Sequence, residues 1–369
     1  MKKIKKLVVL LLVLSLAVLS ACSNTAGQSQ NAEDTSDSTA DTEGTADEKI
    51  PLKISHHPYI HALPSVYAEE NGLYDMFDYT IDMYASGPVQ NEAIASGAWE
   101  VGTTGTGGAV LGAAGYDMKI IGFTAGDTNT TALYVRPDSP LAQAEVDENG
   151  IYGTADDWRG LTILCQTGTA CHMVLIATLE YLGLDESDVE IIDTAVAQSF
   201  AAYKAGEADV VALWSPFVFQ AEDDEGWVEV SSANALNIEL PNLIVATAEA
   251  VENRPEVVSM WLEQYLKGCD ALREDPEMAS EMLYDFEEQE GISVTEDAAA
   301  KEVEFRTFPT LEENKAYFEE DENGSCRAEE ILLMFTDFMI SQGKMTEEDK
   351  QSMLDNGFVD SSFILSMDY

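Results

Sequence analysis

Short runs of small, hydroxyl and aromatic residues each follow an apolar segment that reads as a strand. They are His56-His57-Pro58-Tyr59, Thr103-Thr104-Gly105-Thr106, Thr124 with Gly126, Gln166-Thr167-Gly168-Thr169-Ala170, Ala197-Gln198-Ser199 and Trp214-Ser215-Pro216. Small residues let backbone amides approach a ligand, and hydroxyls donate or accept beside them. Tyr59 and Trp214 can cover an apolar or π face. This is chemistry for holding a small solute. Taken singly, a Gly or Thr at such a place is also an ordinary turn or N-cap residue, and a lone Trp is more often core. The signal lies in having such loops in both halves of the chain. The expected ligand-binding set is His57, Tyr59, Thr104, Gly105, Thr106, Thr124, Thr167, Gly168, Thr169, Gln198 and Trp214. Helix N-termini at these loops suit an anion. However, the nearest cations in sequence are Lys119 and Arg136, and His57, Tyr59 and Trp214 also suit a neutral or heteroaromatic solute.

Other reactive patterns lead elsewhere. His57 and His61 have the i, i+4 spacing of a metal pair, but no acidic or Cys ligand set accompanies them, so no metal is expected. Gly102 to Gly108 is not a dinucleotide fingerprint, so no cofactor is expected either. Asp147-Glu148-Asn149-Gly150 begins like a calcium loop, but Ile151 and Trp158 stand where oxygen ligands belong, which favours a surface turn. Neither a G-x-S-x-G elbow nor an H-E-x-x-H helix occurs, so no catalytic residue is assigned. Of five cysteines, Cys165 and Cys171 are spaced so that a bridge is possible; Cys269 and Cys326 complete the set beside Cys22. Small buried hydrophobes are the other reading of these thiols.

The elements that must position the loops alternate between strand and helix. Extended segments are expected at 52–55, 79–84, 99–102 and 119–123, with helices between them. After an extended stretch at 132–136 and a polar insert, a second unit repeats the alternation with strands at 161–164, 189–192 and 210–213. Residues 243–246 are again extended, and an acidic helical tail follows, led by an amphipathic helix over 252–272. This predicts two largely parallel α/β units joined by two hinge crossovers, with a cleft between. The expected boundaries are 50–135 and 245–369 for the first lobe and 136–244 for the second.

Ahead of the lobes, Lys2, Lys3, Lys5 and Lys6 precede an apolar run to Leu19 and the small residues before Cys22. That is a secretory signal over 1–21, with a run too short to span a bilayer. Residues 22–49 are acidic and polar, a flexible tether that cannot bury enough apolar surface to fold. Losing the signal removes four lysines and no acid, deepening the formal charge from −49 to −53, which excludes nucleic acid as a partner. With 46% hydrophobic residues the remainder can still bury a substantial core.

Several blocks together resemble a known family. Trp158-Arg159-Gly160-Leu161-Thr162-Ile163, Thr167 to His172 and Leu182-Gly183-Leu184 are similar to the extracytoplasmic solute-binding proteins of ABC importers. The nitrate, taurine and aliphatic-sulfonate group, with its thiamine-pyrimidine binders, is nearest. Ala205 to Val210 followed by Trp214-Ser215-Pro216-Phe217 is similar to that group's G-x-x-D…W-x-P stretch, as is Tyr67 to Tyr74 near the start. Leu19-Ser20-Ala21-Cys22 resembles the bacterial lipobox, which implies lipid on Cys22 and a place on the outer face of the cell membrane. The resemblance implies a two-lobed, type II periplasmic-binding-protein-like fold. It also implies a monomer that closes on a solute and docks to an ABC permease and ATPase. The competing expectation is an extracytoplasmic enzyme on the same fold, acting on a small heteroaromatic or anionic metabolite.

Overall fold

The structure is a computed structural model describing residues 49–369 apart from Asp224 and Asn323. The signal, Cys22 and the tether up to residue 48 lie outside the described residues.

The first sheet begins with β1 (Ile50–His56), helix α1 (Leu63–Glu70), β2 (Phe77–Met83) and α2 (Gly87–Glu92). Strand β3 (Val101–Gly105), α3 (Thr106–Tyr116) and β4 (Lys119–Thr124) follow. The second sheet is built from β5 (Thr131–Val135), α4 (Ala155–Trp158), β6 (Thr162–Cys165), α5 (Ala170–Tyr181) and β7 (Glu190–Asp193). Helix α6 (Val196–Lys204), β8 (Val210–Trp214), α7 (Phe217–Asp223) and β9 (Val228–Ser232) complete it. The chain then returns through β10 (Asn242–Ala246). The helical remainder is α8 (Ala248–Asn253), α9 (Pro255–Glu274), α10 (Pro276–Gln289) and α11 (Glu296–Phe305), then α12 (Leu311–Phe318), α13 (Arg327–Ser341), α14 (Glu347–Asp355) and α15 (Ser361–Ser366).

The sheet orders are β2-β1-β3-β10-β4 and β7-β6-β8-β5-β9. The two-lobed α/β architecture is as expected, but each sheet is mixed rather than largely parallel. β10 runs antiparallel to β3 and β4, and β5 antiparallel to β8 and β9. The cause is the crossing itself. A chain leaving one sheet at the carboxyl ends of its strands enters the next from that same side, so its first strand there must run backwards. Thr131–Val135, expected to close the first lobe, is therefore an inner strand of the second sheet, all five residues buried. Asn242–Ala246, assigned in part to the second lobe, lies wholly in the first sheet. The crossings thus occupy residues 125–130 and 233–241. The helix expected over 252–272 is broken at Arg254, because Pro255 has no N–H to continue α8 and instead opens α9.

Helix α9 buries Val257, Val258, Trp261, Leu262, Tyr265, Leu266, Cys269 and Leu272 at helical spacing. Expected as part of the first lobe, the C-terminal helices in fact touch both. The Ile120 N–H donates to the Phe358 carbonyl (2.9 Å) and Asp360 N–H to the Ile120 carbonyl (2.9 Å), edging the first sheet at β4. Lys301 on α11 pairs with Asp223 on α7 of the second lobe at 2.5 Å. The four described cysteines are buried and unbridged. Asp147 caps its own turn, accepting the N–H groups of Asn149 and Ile151 at 2.9 Å and the Tyr181 hydroxyl at 2.6 Å. No helix among the described residues is long and apolar enough to cross a membrane.

Candidate ligand-binding cleft

Two helix N-termini meet across the gap between the sheets. Gly105 leads from β3 into α3 and Thr169 from the β6 loop into α5, and neither caps its helix with a side chain. The first backbone N–H groups of both helices therefore remain free to donate. The approach is close: a Cβ on Gly107 would stand 2.5 Å from the Gly168 carbonyl oxygen of the other lobe. Only glycine fits there with the lobes in this position.

Between the helices lies a small cavity of ≈ 50 Å³. The first lobe contributes His57, Tyr59, His61, Ser86 with the first residues of α2, Gly87 and Pro88, and Gly105–Gly108; the second contributes Thr169, Ala170 and Trp214. Tyr59 and Trp214 meet edge-to-face across the gap, ring centroids 6.2 Å apart. Both helices that reach the cavity use neutral chemistry around it. Thr106 Oγ1 donates to the Pro241 carbonyl (2.6 Å) and Thr169 Oγ1 to the Gln166 carbonyl (2.7 Å), so these hydroxyls secure the crossing and the loop. The buried Trp214 Nε1 has no acceptor in hydrogen-bond geometry.

The histidines form a buried hydroxyl network. His56 sits between Thr103 and Ser65 (both 2.7 Å), His61 Nδ1 meets Thr103 Oγ1 at 2.8 Å, and His57 Nε2 donates to Gln90 Oε1 at 3.1 Å. Burial lowers His56 to about 3 and His57 to about 4, and holds His61 well below its ordinary value, so all three are neutral at pH 7. Burial likewise pushes the Tyr59 phenol up to about 12. Among the described residues no group of three His, Cys, Asp or Glu is gathered so as to hold a metal ion.

Of the expected set, His57, Tyr59, Gly105, Thr106, Thr169 and Trp214 line the cavity. Gly168 borders it through its carbonyl, facing Gly107. Thr104 is buried behind it, its hydroxyl without a partner. Three are elsewhere. Thr124 bonds the Tyr265 hydroxyl (2.8 Å), Thr167 is tied to the Asp193 carboxylate (2.9 Å from both N and Oγ1), and Gln198 is exposed on α6.

Residues absent from that set also stand on the cavity wall, among them Asp127 from the first crossing, Asn242 from the start of β10 and Arg306 just past the end of α11. Arg306 is only 2% exposed. Its Nη2 pairs with Asp127 Oδ1 (2.6 Å), and its Nη1 donates to Glu302 Oε1 (2.7 Å) and Ser215 Oγ (2.7 Å). Its Nε donates to the Gly126 carbonyl at 3.2 Å. Ser215 in turn donates to Glu302 Oε1 (2.9 Å). Burial raises the carboxyls of Asp127 and Glu302 against the pull of Arg306, and raises Glu287, whose oxygens have no partner, well above the usual range. The i, i+4 spacing of Glu302 and Arg306 was the one signal in the sequence for this cluster.

Two α/β lobes, two crossings and a cavity roofed by opposed helix N-termini define the class of two-lobed periplasmic binding proteins. Comparison with known proteins agrees. The chain belongs to the NMT1/THI5-like family, whose pattern matches residues 60–279. It is 30% identical over 359 residues, 96% of both chains, to a protein of Brachyspira hyodysenteriae designated an ABC transporter periplasmic binding protein. Its fold matches the alkanesulfonate-binding protein of Xanthomonas axonopodis pv. citri bound to MOPS, at TM-score 0.68 and 17% identity over 86% of this chain and 100% of that one. It also matches the periplasmic nitrate-binding protein of Synechocystis PCC 6803, at TM-score 0.66 and 13% identity over 86% and 88%.

Proposed function

We propose that this chain is the lipid-anchored solute-binding component of an ABC importer. Lipid on Cys22 holds it on the extracytoplasmic face, and its lobes close as a monomer on one small solute, which it hands to a permease and ATPase. The observation that carries this reading is the meeting of α3 and α5 N-termini, one from each lobe, over a shared aromatic cavity. A solute there touches both lobes only when they are together, so binding shifts the population towards closure. The relatives' ligands put sulfonates and nitrate among the candidates, the motif resemblance adds taurine, and the aromatic walls add pyrimidine-like rings. A non-catalytic role is supported by the relatives, which are designated binding proteins.

A thermal-shift screen of small solutes tests the reading, since a receptor gains stability from a ligand it leaves unchanged. Chemical turnover of the stabilising compound would move the protein to the enzyme class. Within the same assay, Trp214→Ala is expected to weaken binding by about 10- to 100-fold with little loss of melting temperature, because the half-buried indole covers the solute. Unchanged affinity would remove Trp214 from the site. Cys22→Ala is expected to release the protein from membranes into the soluble fraction while leaving solute affinity as it was; retention on membranes after the substitution would refute the anchor.

A further inference from the structure

We propose that Asp127 and Glu302 set the charge selectivity of the cleft: by occupying Arg306 they make it a site for an uncharged, acceptor-bearing solute and exclude small oxyanions. This rests on the solute-binding reading and narrows it. Arg306 is the one cation on the cavity wall among the described residues. Four of its five N–H groups are engaged, by Asp127, Glu302, Ser215 and the Gly126 carbonyl. A guanidinium held by two carboxylates offers an incoming anion neither net charge nor a bidentate fork.

The local charges balance without a ligand. One cation faces two carboxylates, beside the buried Glu287 carboxyl that burial holds towards its neutral form, and each helix N-terminus contributes roughly half a positive charge. An oxyanion would place a full negative charge beside the largely buried Asp127 carboxylate, with only the amides to receive it. An uncharged solute brings no such charge. Its carbonyl or ring-nitrogen acceptors match what the cavity leaves free, namely helix N–H groups, with the Trp214 Nε1 beside the Tyr59 hydroxyl at poor geometry and able to turn to a better acceptor. The neutral ring of His57 and the faces of Tyr59 and Trp214 suit a planar body.

The test titrates the purified full chain with sodium ethanesulfonate and sodium nitrate, alongside uracil, cytosine and nicotinamide as uncharged probes. Wild type is expected to show no saturable binding of either anion at millimolar concentration. Asp127→Asn removes one negative charge while its amide oxygen can still accept from Arg306, leaving the guanidinium with net positive charge, and is expected to strengthen ethanesulfonate binding about tenfold or more. Glu302→Gln carries the same expectation should Asp127→Asn not fold, and melting curves establish which variants are folded. Micromolar binding of ethanesulfonate or nitrate by wild type overturns the selectivity proposal and leaves the receptor standing. A folded Asp127→Asn or Glu302→Gln protein with no gain in anion affinity overturns it as well. The receptor reading fails by a different result, conversion of a bound probe to product.

Discussion

Gly107→Ala lowers solute affinity about a hundredfold or more without lowering the melting temperature. Within its own lobe the substitution is benign, because alanine is the better helix residue by roughly 0.5–1 kcal/mol. All three nearest atoms to the added Cβ belong to Gly168 and Thr169 of the opposite lobe, the first at 2.5 Å. That first neighbour is a backbone carbonyl oxygen, which cannot rotate aside as a long side chain would. The lobes must stay apart by several tenths of an ångström, and a solute that needs both N-termini loses one set of donors. Titration with the strongest solute from the screen measures the loss. Small-angle scattering supplies the second readout: wild type should contract on adding solute and the variant should not. An alanine variant that binds and contracts like wild type would show that the lobes do not need this approach.

Arg306→Met costs about 3–5 kcal/mol of stability near neutral pH, and less near pH 5. The magnitude is that of removing one partner from a buried ion pair, which strands the other charges without water. The direction with pH follows from the carboxyls left behind. Burial already raises Asp127, Glu302 and Glu287 above their ordinary values, and Arg306 is the main influence lowering them. Groups raised in the folded state contribute stability that is present below their unfolded pKa and lost as pH climbs through the folded one. Without Arg306 the folded values rise further, so that loss deepens between roughly pH 5 and pH 8. Denaturant unfolding at those two pH values checks this; a deficit of equal size at both would contradict it.

The strands were legible because their apolar runs are short and bounded by turn residues, as in Val210–Trp214 and Lys119–Thr124. The helix starts that face the cavity were legible for a related reason, since Gly105-Thr106 and Gly168-Thr169 end apolar runs. What stayed hidden depends on where distant pieces meet. Nothing in Thr131–Val135 marks it as antiparallel, because a fully buried strand reads the same in either direction. Thr167 and Gln198 share the composition of binding residues, yet Asp193 ties down the first and α6 turns the second outward. Arg306 escaped notice because its partners Asp127 and Ser215 stand 179 and 91 residues away along the chain.

Strand β10 sits between β3 and β4, so β4 has no strand to join it to the rest of the first sheet until residues 242–246 are present. The second sheet draws all its strands from residues 131–232. During vectorial synthesis or threading across a membrane, domains assemble as their segments become available. The lobe encoded first is therefore the lobe completed last. A nascent chain exposes an unclosed edge between β3 and β4 until residues 242–246 have emerged.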